Sequence, residues 1–255
     1  MNRQVASVAA ALLQARRQQQ PVDAAPLEAL LQSADEAYAV QAEVARGSGW
    51  FGEDVPRHWK SGGPSRAAVL THAPLPPQHV LRSPADMRGI PFNVRWIEAE
   101  VALCLARDVS PAHAARLPPG PAGALVEAMA VSIEIVDSRW RQARSAAPLL
   151  KLADLQSHGA LVLGAWTPYE ARDWAAQRCE VRIGDGPPQT FTGTHSLADP
   201  AWLLPQWLQH VTRHGATVPQ GTVVSTGTWC GLLEARPGDT VRVAFDGIGE
   251  AEVRL

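Results

Sequence analysis

The stretch 96-WIEAEVALCL-105 is apolar except for Glu98 and Glu100. A run of this length and composition, rich in aliphatic residues, reads as a β-strand. Alternate residues of a strand share a face. Ile97, Ala99, Val101, Leu103 and Leu105 then form one wholly apolar face, which belongs in a core. The opposite face carries Trp96, Glu98, Glu100, Ala102 and Cys104. Trp, Ala and Cys are unusual on a solvent-facing strand, where Thr, Lys or Arg would serve. Same-face neighbours lie roughly 7 Å apart at a rise of about 3.3 Å per residue. Like charges in a partly dry setting raise one another's pKa or recruit a cation. On this stretch alone, a solvated face and a divalent-cation site remain equally open.

A second stretch, 129-MAVSIEIVDSRW-140, shifts the balance. Ile133 and Ile135 share one face, Glu134 takes the other, and Asp137 follows just beyond. Several carboxylates on apolar strands make a hard, oxygen-rich site. Such a site suits Mg²⁺ or Mn²⁺ rather than zinc, because no Cys or His stands at ligand spacing. The competing reading pairs Glu134 and Asp137 with Arg139 or Arg141 in a structural ion pair.

The rest of the chain sets bounds. Its 255 residues, 46% hydrophobic and 19% charged, supply ample core for one large domain or two small ones. The net charge of −2 gives no reason to expect nucleic acid or an acidic membrane as partner. Cys104, Cys179 and Cys230 are too few and too scattered for a disulfide scaffold, which points to a reducing cytosol. No apolar run reaches the roughly 18 residues of a membrane span. The alanine-rich N-terminus places Val5, Val8, Leu12 and Leu13 on one helical face and reads as an amphipathic helix rather than a signal peptide, ending near Pro21. Residues 23–46 extend the helical pattern, and 47–66 and 71–80 read as loop and extended connector.

Strand patterns dominate from about residue 80, at 97–105, 130–136, 159–164, 178–184, 221–227 and 239–255. Residues 122–130 and 199–215 read as interleaved helices. The irregular alternation favours an α+β fold with mixed or antiparallel sheets. The expected division is a helical N-terminal region, 1–80, and a β-rich metal-binding catalytic domain, 81–255.

In order along the chain stand 34-ADEAYAVQ-41, 59-WKSGGPSR-66, the two acidic strands, 151-KLADLQSHGALVLG-164, 199-DPAWLLPQWL-208 and the run 221–255 with "STGTW" and "PGDTVRVAFDGIG". Together they resemble the fumarylacetoacetate hydrolase family, in the branch of 2-keto-4-pentenoate hydratase and 4-oxalocrotonate decarboxylase. The resemblance implies a β-rich roll with mixed sheets behind a helical N-terminal region. It implies Mg²⁺ or Mn²⁺ on Glu98, Glu100 and Glu134, chelated by a small 2-oxo acid. It also implies Lys60 as an acid–base or substrate-holding residue, Thr226 and Gly227 on a substrate-facing turn, Asp154 and Ser157 as further substrate contacts, and a homo-oligomer. A cation on the keto oxygen stabilises the charge that develops there, so hydration, decarboxylation and C–C hydrolysis are all accessible. The first expectation is hydration of a 2-hydroxydienoic acid. Decarboxylation of a 4-oxalocrotonate-like acid, C–C hydrolysis of an acylpyruvate and a non-catalytic binding role are the alternatives.

The chain also departs from the family pattern. No acidic residue stands between Lys60 and Asp86, where relatives carry a "PD" segment, and the "ADNASS" segment has become "ADLQSH". His158 and His195 are the candidate replacements for the missing proton-handling group. The competing reading of His195 is a turn-capping residue before the helix at 199. Tryptophans 59, 96, 140 and 229 beside the motifs suggest an apolar pocket wall. His210 and His214, four apart but with no glutamate between them, read as an exposed helix end rather than metal ligands.

Overall fold

A computed structural model describes residues 2–255. Two helices come first. Helix α1 (Arg3–Gln18) is capped by Asn2, whose side chain accepts from the Gln4 N–H, and α2 (Ala34–Ser48) by Ser33 in the same way on Glu36. Val5, Val8, Leu12 and Ala15 of α1 are buried, and Leu13 is partly so. Between the helices, residues 25–27 make only a 3-10 turn, so the helical pattern there is shorter than expected. The short α3 (Pro111–Ala114) and α4 (Pro148–Ala153) and the apolar α5 (Leu204–Thr212) follow among the strands.

Among the described residues, fourteen strands form two sheets. They are β1 (His58–Gly62), β2 (Thr71–Pro74), β3 (Val80–Arg82), β4 (Ala85–Asp86), β5 (Trp96–Leu105), β6 (Val126–Val136), β7 (His158–Leu163), β8 (Thr167–Pro168), β9 (Arg178–Ile183), β10 (Gln189–Thr192), β11 (Val223–Ser225), β12 (Leu233–Glu234), β13 (Thr240–Phe245) and β14 (Gly249–Arg254). The larger sheet runs β2-β1-β11-β5-β6-β7-β3, with β12 and β8 added to β5 and β6. The smaller runs β10-β9-β13-β14-β4. Both parallel and antiparallel pairs occur, as expected for a mixed α+β roll.

The apolar face of β5 is core: Ile97, Ala99, Val101, Leu103 and Leu105 are all fully buried. They join Val131, Ile133 and Ile135 of β6 and Val241, Val243 and Val253 of the smaller sheet in one cluster. The sheets meet closely at Gly164, where an added Cβ would come within 2.4 Å of the Glu250 carbonyl oxygen. A second cluster joins α1, α2 and α4 around Val8, Leu12, Val40, Trp140 and Leu150.

Three expectations are corrected here. The helical layer ends at Ser48, not at 80, because β1 and β2 are members of the larger sheet. That layer is also completed by Trp140 and α4, so it shares its core with the C-terminal part. Residues 122–130 are not an α-helix: Gly123–Leu125 make one 3-10 turn, then β6 begins at Val126 and its ladder with β5 overrides the helix-favouring Ala, Glu and Met. His210 is not an exposed helix end: its ring packs at 4.3 Å from Tyr38 and 4.6 Å from His72.

Candidate metal centre

The register of four neighbouring strands builds the site. Glu98 of β5 lies directly opposite Glu134 of β6, and Glu100 opposite Ser132. On the other side of β5, Ala102 is opposite Ser225 of β11, which in turn pairs with Lys60 of β1. The three glutamates each bring a carboxylate oxygen within 4.8 Å of the others. Glu98 is half-buried; Glu100 and Glu134 are buried. Glu98 and Glu100 line a cleft of about 790 Å³ together with Lys60, Trp96, Gln156, Ser157, Ser196 and Gly227; Glu134 is fully buried and is not part of that lining.

Two of the three carboxylates are held by hydrogen bonds. Glu134 Oε1 accepts from Lys60 Nζ at 2.6 Å and lies 3.1 Å from His158 Nδ1, while its buried Oε2 has no partner. Glu100 Oε2 accepts from the Ser225 hydroxyl and from the Gly227 N–H at 3.1 Å. Ser132 Oγ stands 2.9 Å from Ser225 Oγ and extends that network. Gly227 has φ +102°, which lets the turn aim its N–H inward.

The charge balance is poor for a protein alone. Burial pushes Glu98 up to about 8; Lys60 pulls against this, and the like charges of Glu100 and Glu134 add to it. Burial, aided by Glu134 and opposed by Lys60, pushes Glu100 up to about 7. Glu134 is also raised by burial, against the pull of Lys60. Burial alone would lower Lys60, but the three carboxylates outweigh it and hold the ammonium charged. Three converging carboxylates, an unpartnered buried oxygen and one lysine fit a hard divalent cation.

The cleft wall opposite is strained. Leu155, Gln156 and Ser157 have successive φ values of 52°, 55° and 60°. Such left-handed backbone costs non-glycine residues of order 1–3 kcal/mol each and clusters at functional sites. Here it brings the Gln156 carbonyl to 3.4 Å from Lys60 Nζ and Ser157 into the cleft lining.

Other expected residues fall elsewhere. Asp154 is fully buried behind the cleft and does not face it. It accepts from Arg139 Nε at 2.6 Å, the Arg139 N–H at 2.9 Å and Arg16 Nη2 at 3.1 Å. Asp137 accepts from the Asn93 and Val94 N–H groups and faces Arg139 at 3.7 Å, so the ion-pair reading holds for it and not for Glu134. Thr226 is fully buried and donates to the Val101 carbonyl, stapling the turn rather than facing substrate. His195 is absent from the cleft lining. Its Nε2 donates to the Thr226 carbonyl at 2.8 Å and its ring packs 5.4 Å from Trp229, where burial lowers it to about 4. It is a neutral prop for the turn. Of the four tryptophans, only Trp96 lines the cleft; Trp59, Trp140 and Trp229 are core. Lys60 sits in strand β1, not in a loop.

Ser132, Ser225 and His158 were missed as supports of the carboxylates. Strand alternation could have found Ser132, which precedes Glu134 by two residues on β6; Ser225 lies on another strand, and only its register against Ala102 brings it to the glutamate face. His158 supports Glu134 from β7, and only the folded register brings it there.

Comparison with known proteins agrees with this architecture. Residues 56–255 match the family model described as fumarylacetoacetate (FAA) hydrolase C-terminal, and the chain belongs to that family. A 153-residue stretch, 60% of this chain, is 26% identical to a 4-oxalocrotonate decarboxylase from Pseudomonas sp, and spans 57% of that protein. Among solved structures, 4-oxalocrotonate decarboxylase from Pseudomonas putida G7, complexed with magnesium and adipate, aligns with a TM-score of 0.84. That alignment is 19% identical and covers 100% of this chain and 98% of that one. Fumarylpyruvate hydrolase from Pseudomonas aeruginosa, in complex with Mn²⁺ and pyruvate, aligns with a TM-score of 0.56 at 16% identity, over 79% of this chain and 89% of that one. No helix among the described residues is long and apolar enough to cross a membrane.

Proposed function

We propose that this protein is a divalent-metal-dependent lyase that removes CO₂ from a conjugated 2-oxo dioic acid of the 4-oxalocrotonate type. Glu98, Glu100 and Glu134 hold Mg²⁺ or Mn²⁺, and the bound cation supplies Lewis-acid polarisation of the 2-oxo group. The observation that carries the reading is the set of ionisable groups in the cleft. Beyond Glu98 and Glu100 it is lined by Lys60, Arg144 and Lys151, with no further carboxylate or imidazole in the lining among the described residues, and Glu134 is buried within ligand reach of the other two glutamates. With a doubly charged cation on the glutamates, the cleft holds two positive charges in excess, matched to a dianion. Hydration, the first expectation from the sequence, asks for a group that activates water, and the lining offers none besides the metal ligands. Decarboxylation needs no such base. The electron pair of the breaking C–C bond flows into the conjugated carbonyl, CO₂ departs, and one proton is taken up. Lys60, held charged beside Glu134, is the group assigned to that proton. Gly227 and Ser157 line the substrate's path.

The test is turnover of two acids, with and without Mg²⁺. A six-carbon 2-oxo dioic acid should release CO₂ only when the metal is present, and 2-hydroxypenta-2,4-dienoate should stay unhydrated. Water addition to the five-carbon acid without CO₂ from the dioate would establish the hydratase instead. Turnover of neither would overturn the lyase reading.

A further inference from the structure

The metal cleft is larger and more apolar than an unsubstituted six-carbon acid requires. Its volume of about 790 Å³ lies in the upper part of the range, roughly 300–1,000 Å³, that encloses drug-sized ligands. Along β5 the glutamate face runs Glu100, Glu98, Trp96. Beyond Glu100 this face is shut, because Ala102 and Ser225 opposite it are fully buried. At the other end stands half-buried Trp96, opposite Val136 of β6. Leu232 directly precedes β12, whose Leu233 and Glu234 pair with Ile97 and Trp96, so it follows in register beside Glu98. Trp96, Val136 and Leu232 all line the cleft. They form an apolar strip that begins where the carboxylates end, roughly 7 Å along the strand from Glu98.

The strip reaches the surface. Leu232 is 41% exposed, and Val69, which lines the same cleft from the loop between β1 and β2, is 86% exposed. That loop is held in place: Arg66 Nε donates to the Leu197 carbonyl at 2.6 Å, and its guanidinium lies 4.2 Å from the Trp202 ring centroid. Large apolar side chains held open around a cleft mark a surface that an apolar ligand group covers.

We propose that the 2-oxo acid turned over in this cleft carries an apolar side group of several carbons, seated against Trp96, Val136 and Leu232 with Val69 at the mouth. This rests on the reading of the cleft as a site for a metal-chelated 2-oxo acid, and it adds the class of substituent that the acid bears.

Pyruvate and 2-oxooctanoate are the probes, titrated calorimetrically into the full chain with and without saturating Mg²⁺. Both present the same chelating end and differ only by a run of methylenes. A buried methylene is worth roughly fourfold in affinity, so with Mg²⁺ 2-oxooctanoate should bind about tenfold or more tightly than pyruvate. Trp96→Ala and, separately, Leu232→Ser should each cut that ratio by about threefold or more. Circular dichroism checks the folds, and if Trp96→Ala unfolds, Leu232→Ser decides alone. Equal affinity of the two acids, or a ratio unchanged in the folded variants, would overturn the proposal and leave the rim to a protein partner, with the metal reading intact. Binding of 2-oxooctanoate without Mg²⁺ as tight as with it would also overturn the proposal. Binding of neither acid in the presence of Mg²⁺ would overturn the proposal and the metal reading together.

Discussion

Two clusters of buried acid sit a few residues apart in this molecule and are built on opposite principles. Asp137 and Asp154 are met by Arg139 and Arg16, with backbone N–H groups taking further lone pairs. Glu98, Glu100 and Glu134 share one lysine, and Glu134 keeps a bare oxygen. The first cluster matches its carboxylates with arginines of the same chain. It ties α1 to the segment after β6 and to the turn before β7. The second is short of positive charge because its register sets Glu98 and Glu134 opposite each other. A buried acid matched by arginine is architecture, whereas acids that outnumber their cations mark the place where a cation and substrate belong.

Breaking the matched cluster should have the largest effect. Asp154→Ala leaves Arg139 and Arg16 without their shared partner and should cost about 3–5 kcal/mol of folding stability. Urea denaturation measures this, and a loss below about 1 kcal/mol would remove the structural reading of Asp154.

The unmatched cluster should respond in the opposite sense. Glu98→Gln with Glu100→Gln should weaken Mg²⁺ binding by roughly 10²-fold or more, since first ligands matter at least as much as their supports. The fold should be retained. Because Glu98 and Glu100 are raised to about 8 and about 7, the metal-free folded state binds protons that the unfolded chain has released. That state therefore loses stability as pH rises from the ordinary glutamate range through about 8. The double variant should escape this loss, so its Tm advantage over metal-free wild type should grow from about pH 5 to about pH 8. A constant difference across that window would contradict the charge imbalance.

Lys60→Met sharpens the contrast within the site. It should lower kcat/KM by about 10²-fold, the usual scale for an acid–base group, while Mg²⁺ binding survives because Glu134 Oε2 does not depend on it. Steady-state kinetics beside metal titration separates the two. The smallest effect is expected at His195. His195→Gln keeps a donor for the Thr226 carbonyl and should change stability by about 1 kcal/mol or less. Its kcat/KM should stay near wild type; a loss as large as that of Lys60→Met would return His195 to the chemistry.

Much of the metal centre was legible before folding. Alternation in 96-WIEAEVALCL-105 and 129-MAVSIEIVDSRW-140 separates the core face from the carboxylate face, and both strands keep that division. Alternation could not select Ser225 over Thr226, because only the register of β11 on β5, which sets Ser225 opposite Ala102, puts it on the glutamate face. Strand character in β1 and β2 was not legible, because "HWKSG" and "THAP" are short, rich in turn-forming residues and ordered only by pairing with their neighbours. For Asp154 and His195 the sequence shows chemistry-bearing side chains but not their direction.

The amino-acid sequence by itself determined which residues could be ligands and which faces are buried, because strand periodicity is local and a carboxylate on an apolar strand is conspicuous. Only the tertiary structure decided which acids are paired and which are left open. Charge compensation depends on partners far away along the chain, Lys60 for Glu134 at a separation of 74 residues and Arg16 for Asp154 at 138, and the folding of separate strands and helices into contact brings those partners together.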